Sequence, residues 1–116
     1  MKNFNSLDAA YKVELNNNLG LSLRFLANGN LAAISYKNLL VNLLEGNFVD
    51  ASVANIYLRV YDETGISSAP LIGVLSSSKF NANSGQVSWH GNTLGLDYVV
   101  SCSLAKDMNL WLWQVK

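Results

Sequence analysis

Apolar and polar residues alternate with a period of two along most of this chain. From residue 54 to residue 61 the pattern is strict: Ala54, Ile56, Leu58 and Val60 fall on one side, and Asn55, Tyr57, Arg59 and Tyr61 on the other. Successive side chains of a β-strand point to opposite faces, so this run predicts a half-buried strand with an aromatic and cationic outer face. Asp62-Glu63-Thr64-Gly65 comes next as a turn that closes a hairpin. Elsewhere Tyr11, Val13 and Leu15 alternate with Lys12 and Glu14. Leu21, Leu23 and Phe25 alternate with Ser22 and Arg24, then cross an Asn28-Gly29 turn into Leu31 to Tyr36. Val87 and Trp89 oppose Gln86, Ser88 and His90, and Leu96 to Leu104 places Asp97, Ser101 and Ser103 on its outer side.

Turn residues separate these runs: Asn16-Asn17-Asn18, Asn28-Gly29-Asn30, Glu45-Gly46-Asn47, Glu63-Thr64-Gly65, Asn83-Ser84-Gly85, Gly91-Asn92 and Lys106-Asp107. Asn and Gly accept the positive φ that tight hairpins need. Short alternating runs between such signals predict one all-β domain over residues 1–116, an antiparallel β-sandwich of the supersandwich kind with about seven to nine strands. Asn38 to Leu44 is ambiguous. Its apolar residues fit a buried strand, and a short helix is the alternative there, as it is at the N-terminus.

The last run is unlike the others. Trp111, Trp113 and Val115 line one face of it, and Leu110 and Leu112 the other. A strand apolar on both faces, if exposed, templates aggregation. The expectation is that the chain is a fragment whose native sequence continues past Lys116. The alternative is a central strand covered on both sides.

Composition narrows the function classes. The chain has 116 residues, 50% of them hydrophobic and only 14% charged. That leanness fits either a generous two-sheet core or a large face meant for another surface. Eight basic and eight acidic residues balance to zero, which removes the electrostatic footprint of a nucleic-acid binder. Cys102 is the only cysteine, in phase with the buried side of its strand, and reads as a small buried hydrophobe. One free cysteine suits a reducing compartment. The start lacks a signal-peptide apolar core, and no apolar run is long enough to span a bilayer, so a cytoplasmic protein is expected.

No constellation of nucleophile, base and metal ligand stands out. His90 is the only histidine and reads as a surface residue, since neither a second His nor a second Cys completes a zinc site. Asp62 and Glu63 are adjacent in a turn, so their side chains diverge. Glu45 and Asp50 flank a Gly46-Asn47 loop with no calcium-loop spacing. Gly91 to Gly95 is a hairpin turn rather than a phosphate loop. No cofactor and no metal are expected. Tyr57, Arg59 and Tyr61 form one flat surface roughly 14 Å long. Aromatic rings with polar tips beside a guanidinium suit an interface with another domain or subunit, a sugar or phosphate contact, or packing on another sheet. Trp111 and Trp113 read as core or interface residues, with a sugar platform as the alternative.

With these strands placed, the order of motifs resembles the N-terminal β-sandwich of the inverting glycoside phosphorylases and of the cyclic β-1,2-glucan synthases. Tyr57-Leu58-Arg59, then Asp62-Glu63-Thr64-Gly65 and Pro70-Leu71, looks like that family's strand, acidic turn and connection. Gly95-Leu96-Asp97-Tyr98 looks like its strand opening after a glycine, and Lys106 to Val115 like its charged turn and returning strand. The likeness covers about residues 20 to 116. It departs where Val60 and Tyr61 lengthen the interval to the acidic turn and where Ile66-Ser67-Ser68 replaces a tryptophan. The resemblance implies phosphorolysis of a β-glucoside by a downstream α/α barrel, with this piece non-catalytic. It further implies that the sandwich packs on that catalytic domain, joins a homodimer or lends a side chain to a glucan site. A stand-alone carbohydrate-binding module is the alternative.

Overall fold

The computed structural model describes residues 11–42 and 53–116. Ten strands occur among them, joined by turns and with no helix. They are β1 (Tyr11–Asn16), β2 (Leu21–Leu26), β3 (Leu31–Tyr36), β4 (Leu39–Leu40), β5 (Tyr57–Asp62), β6 (Gly65–Pro70), β7 (Lys79–Asn83), β8 (Gln86–Thr93), β9 (Leu96–Leu104) and β10 (Trp111–Val115). They form two four-stranded antiparallel sheets, ordered β1-β2-β3-β4 and β10-β9-β8-β7, and a separate two-stranded ribbon, β5-β6. Every pairing joins strands consecutive in sequence. The all-β, sandwich-like architecture is therefore as the alternation indicates, with one or more strands beyond the expected number.

The register shows how alternation becomes a core. Leu23 lies opposite Ile34, and Leu21 opposite Tyr36, on the inner face of the first sheet. Trp89 lies opposite Val100, and Val87 opposite Cys102, on the inner face of the second. The two faces meet in one apolar cluster that also takes in Leu15, Leu31 and Tyr98. A register shift between Arg24 and Phe25 pairs Phe25 with Leu31, so β3 carries one extra residue, Ala32, there. Such a bulge adds local twist and re-aims the side chains beyond it. Phe25 is swung under Trp89, its ring edge-on at 5.6 Å.

Trp89 is the centre of this packing. It is fully buried, with Phe80 at 5.4 Å and Trp113 at 5.7 Å between ring centroids. Its indole N–H has no water to donate to. It donates instead to the Gly29 carbonyl in the β2–β3 turn, at 3.0 Å. The opposite sheet is thereby fixed to this turn by a buried hydrogen bond and a ring stack together. Gly29 has φ +85° and approaches so closely that a β-carbon there would lie 2.6 Å from the indole nitrogen.

Residues 71–78 connect the ribbon to β7 and run along the core, with Leu71 and Ile72 buried. Polar side chains hold this stretch of backbone. The Tyr98 hydroxyl donates to the Leu71 carbonyl at 2.8 Å, Asn55 donates to the Ile72 carbonyl at 3.1 Å, and the Val74 N–H donates to the side chain of buried Asn30 at 2.7 Å. At another junction between the sheets the β1–β2 turn holds the β9–β10 turn. Asn17 donates to the Met108 carbonyl and Asn18 to the Asp107 carboxylate.

Three expectations change. Asn38 to Leu44 is neither a buried strand nor a helix where it is described. Leu39 and Leu40 form a short strand with exposed side chains, because Lys37 and Asn38, at φ 48° and 68°, turn the chain back along the outer edge of β3. Residues 43 and 44 lie outside the described residues, as do the N-terminal segment and the Glu45 to Asp50 loop. The strand β7 is an addition to the expected set, since only Phe80 marks it as inward-facing. The β8–β9 turn is also tighter than Gly91 to Gly95. β8 continues to Thr93, and Leu94 and Gly95, at φ 50° and 78°, make a two-residue turn.

Glycine substitutions separate crowding from backbone strain. Gly29→Ala should destabilise the fold by about 2–4 kcal/mol, through strain and displacement of Trp89 together. Gly85→Ala, at φ +75° but with open space around it, should cost only about 1 kcal/mol. Urea titrations of both variants measure the gap; equal losses would show that the contact of Gly29 with Trp89 does not matter.

Candidate functional site

No group of three or more His, Cys, Asp and Glu that could hold a metal occurs among the described residues. His90 lies on the outer face of β8, exposed, with its Nε2 3.3 Å from the Ser88 hydroxyl. Cys102 is buried on β9, and burial pushes its thiol up to about 12. A thiol so protonated is neither a nucleophile nor a metal ligand at neutral pH. A hollow of about 330 Å³ on the outer face of the first sheet is lined by Glu14, Arg24, Ser35, Asn38 and Leu40. The Ser22 hydroxyl donates to Glu14 at 2.8 Å beside it. It brings together a carboxylate and a guanidinium, with no base set against a nucleophile.

The features that stand out are surfaces. β1 approaches β9 across the sandwich, so β10, beyond β9, extends past the edge of the opposing sheet. Trp111, Trp113 and Val115 lie opposite Leu104, Cys102 and Val100, and so share the inner face. Trp113 reaches the core through Trp89 and is half-buried. Trp111 and Val115 remain exposed because the first sheet ends short of them. Leu112 points to the outer face and is 56% exposed. The end strand is thus apolar on both faces, as its sequence indicates. Among the described residues it is an edge strand rather than a central one, paired with β9 on one side only.

The second surface is the β5–β6 ribbon. Tyr57, Arg59 and Tyr61 lie on one face, directly opposite Pro70, Ser68 and Ile66. Leu58 and, more loosely, Val60 turn the other way, and Leu58 packs against the core. Tyr61 is 67% and Ile66 66% exposed at the far end. The structure therefore groups Tyr57, Arg59 and Tyr61 as expected, and separately joins Trp113 to the core and leaves Trp111 at its margin. At the tip the Asp62 carboxylate accepts from the Thr64 hydroxyl at 2.6 Å and from the Thr64 N–H at 2.8 Å. Those bonds, the hydroxyl's foremost, hold the carboxyl below its ordinary value of 3.8.

The polar anchors Asn30 and Tyr98, and the link from Trp89 to Gly29, leave no mark in the sequence pattern. Nothing in a single sequence separates Asn30, fully buried, from Asn28 two positions earlier in the same turn.

The chain belongs to the SOGP N-terminal domain family, whose model matches residues 24–116. This assignment corrects the resemblance to the N-terminal sandwich of the inverting glycoside phosphorylases and cyclic β-1,2-glucan synthases. The activities that resemblance implied fall with it, as does the alternative of a carbohydrate-binding module. The physical reason lies in the motif that carried it. An alternating strand ending in an Asp-Glu-Thr-Gly turn describes the chemistry of a two-residue hairpin loop, which many β-domains share. The matched domain is not a known catalytic one. No curated protein matches the chain. No helix among the described residues is long and apolar enough to cross a membrane.

Two titrations test these placements. Cys102 should resist thiol reagents at pH 8 in the folded chain and react at once in denaturant; rapid native labelling would contradict its burial. Asp62, depressed when folded, contributes stability above its unfolded value that is lost as pH falls through its folded value, in the region below about pH 3.8. Thr64→Val, which keeps the N–H and deletes the hydroxyl, should raise the Asp62 value toward 3.8 in a carboxyl NMR titration. An unmoved titration would mean that the hydroxyl bond carries no weight.

Proposed function

We propose that this chain is a non-catalytic interaction domain that docks, through the overhanging strand β10, onto a further domain of the protein it belongs to. The observation that carries this reading is the uncovered inner face at Trp111 and Val115, continuous with the core through Trp113 and backed by exposed Leu112. A large aromatic at the margin of a core gains most from a partner that completes its burial. The free edge of β10 offers backbone hydrogen bonds to an added strand, the mode in which main-chain pairing gives affinity and side-chain pockets give register. The family is described as an N-terminal domain, which favours a partner domain in the same protein. A cytoplasmic location is supported by the single buried free cysteine.

Hydrogen exchange tests this reading. In the complete gene product the amides of Trp111 to Val115 should exchange at least about tenfold more slowly than in the 116-residue chain alone. Equal protection, or a reading frame that stops at Lys116, would overturn it. Leu112→Asp should leave the isolated chain folded and weaken its attachment to the remainder, read as faster proteolytic separation. Unaltered proteolysis would also count against docking through β10.

A further inference from the structure

The β2–β3 turn that anchors Trp89 also carries a labile covalent sequence. Asn28-Gly29 is the only Asn-Gly pair in the chain. An asparagine before glycine loses its side-chain amide readily, because no β-carbon on the glycine hinders attack by its backbone nitrogen. That nitrogen gives its proton to solvent base and bonds to the side-chain carbonyl carbon of Asn28. The bond from this carbon to the amide nitrogen breaks, and the nitrogen leaves as ammonia with a proton taken from water. Water then opens the cyclic imide. Its attack at the side-chain carbonyl gives aspartate. Attack at the main-chain carbonyl gives isoaspartate, whose backbone runs through the β-carbon. In either case one water enters and one ammonia departs.

The fold holds each participant out of position. The Gly29 N–H donates to the Leu26 carbonyl at 3.0 Å, and neither Ala27 nor Asn28 has a positive φ, which makes a type I turn. With Asn28 ψ about 0° in such a turn, its β-carbon stands well away from eclipsing the Gly29 nitrogen, as the five-membered imide requires. The Asn28 Oδ1 accepts from the Asn30 N–H at 3.0 Å, which fixes the side chain. Gly29 is buried against Trp89, whose indole N–H donates to its carbonyl. Ring closure must break the first two bonds and rotate Asn28 ψ, which carries the Gly29 carbonyl off the indole. We propose that Asn28-Gly29 is a latent deamidation site that reacts only when the sandwich unfolds, and that isoaspartate formed there prevents refolding by displacing the acceptor of Trp89. The two products differ in this respect. Aspartate keeps the backbone and an oxygen for the Asn30 N–H, so it refolds. Isoaspartate inserts a methylene into a turn with no slack, where even a β-carbon on Gly29 would lie 2.6 Å from the indole nitrogen. The buried indole donor is then stranded. Each unfolding event converts a share of the molecules irreversibly, and this turn limits the lifetime of the domain.

Peptide mapping by mass spectrometry, after incubation of the purified chain in mildly alkaline buffer, reads the amide at residue 28. The folded chain should lose it at least about a hundredfold more slowly than the same chain in urea, because only the open form reacts. Equal rates overturn the proposal. Gly85→Ala, which lowers stability without touching this turn, should speed the loss from the folded chain about fivefold, the shift in unfolded population that it produces. An unmoved rate would mean that the turn opens by itself, and overturns the link to unfolding. When chain aged in urea is returned to refolding buffer, isoaspartate at residue 28 should collect in the fraction that stays unfolded, while aspartate enters the folded one. An equal share of isoaspartate in both fractions overturns the block to refolding. Asn28→Asp should fold, with the Trp89 indole N–H exchanging as slowly as in the unmodified chain. Failure of that variant to fold would show that the new charge, not the lengthened backbone, spoils the turn, and would overturn the division between the two products.

Discussion

One hydrogen bond organises this sandwich: the indole N–H of Trp89 on the carbonyl of Gly29. Stacked sheets held by apolar contact alone can slide, because burial is non-directional. A buried donor cannot slide without losing its acceptor, at a cost of about 1–3 kcal/mol for the unsatisfied group. The bond therefore fixes where β8 lies against the β2–β3 hairpin. Around it Phe25, Phe80 and Trp113 bring rings from three other strands against the indole. The turn must also admit a ring to within contact of its backbone, which only a glycine at residue 29 allows.

A second set of polar contacts arises from the same constraint. Once the sheets are fixed, the chain must pass from the ribbon to β7 along the core, and its backbone groups are partly shut off from water. Asn30, Asn55 and Tyr98 satisfy them one by one. Tyr98 can reach because its partner across the pair is Gly91, where any β-carbon would meet the phenol at 2.6 Å. Two glycines far apart in sequence thus serve one purpose: each leaves room for an aromatic side chain whose polar tip ties a separate segment to the sheet.

Period-two alternation makes most of these strands legible in the sequence, because each has one wet face and one dry one. It fails where that contrast fails. β7 alternates weakly, with Asn81 and Asn83 about a single strong inward residue, Phe80, and its pattern does not declare a strand. Leu39 and Leu40 read as buried, since pattern alone does not reveal that two positive-φ residues carry them to an outer edge. The candidate surfaces were half legible. The shared face of Tyr57, Arg59 and Tyr61 comes directly from parity. The different surroundings of Trp111 and Trp113 do not, because they depend on where the opposite sheet ends. Family was the least legible of all, since hairpin chemistry repeats across unrelated β-domains.

The distribution of edge protection joins the two surfaces. Each open sheet edge invites pairing, and proteins blunt edges with brevity, charge or proline. β4 is only two residues long. β1 carries Glu14, β7 opens with Lys79 and two asparagines, and β6 closes with Pro70. β10 has no charge and no proline, and β5 is interrupted only by Arg59, with Asp62 at its end. Four edges are defended, by brevity, charge or proline, so the two without such protection do not reflect a general neglect of the problem. An apolar strand with an open edge destabilises nothing in the isolated fold but exposes the chain to unwanted association. Its retention at β10, beside four protected edges, is what a domain needs if that strand is where it meets another polypeptide.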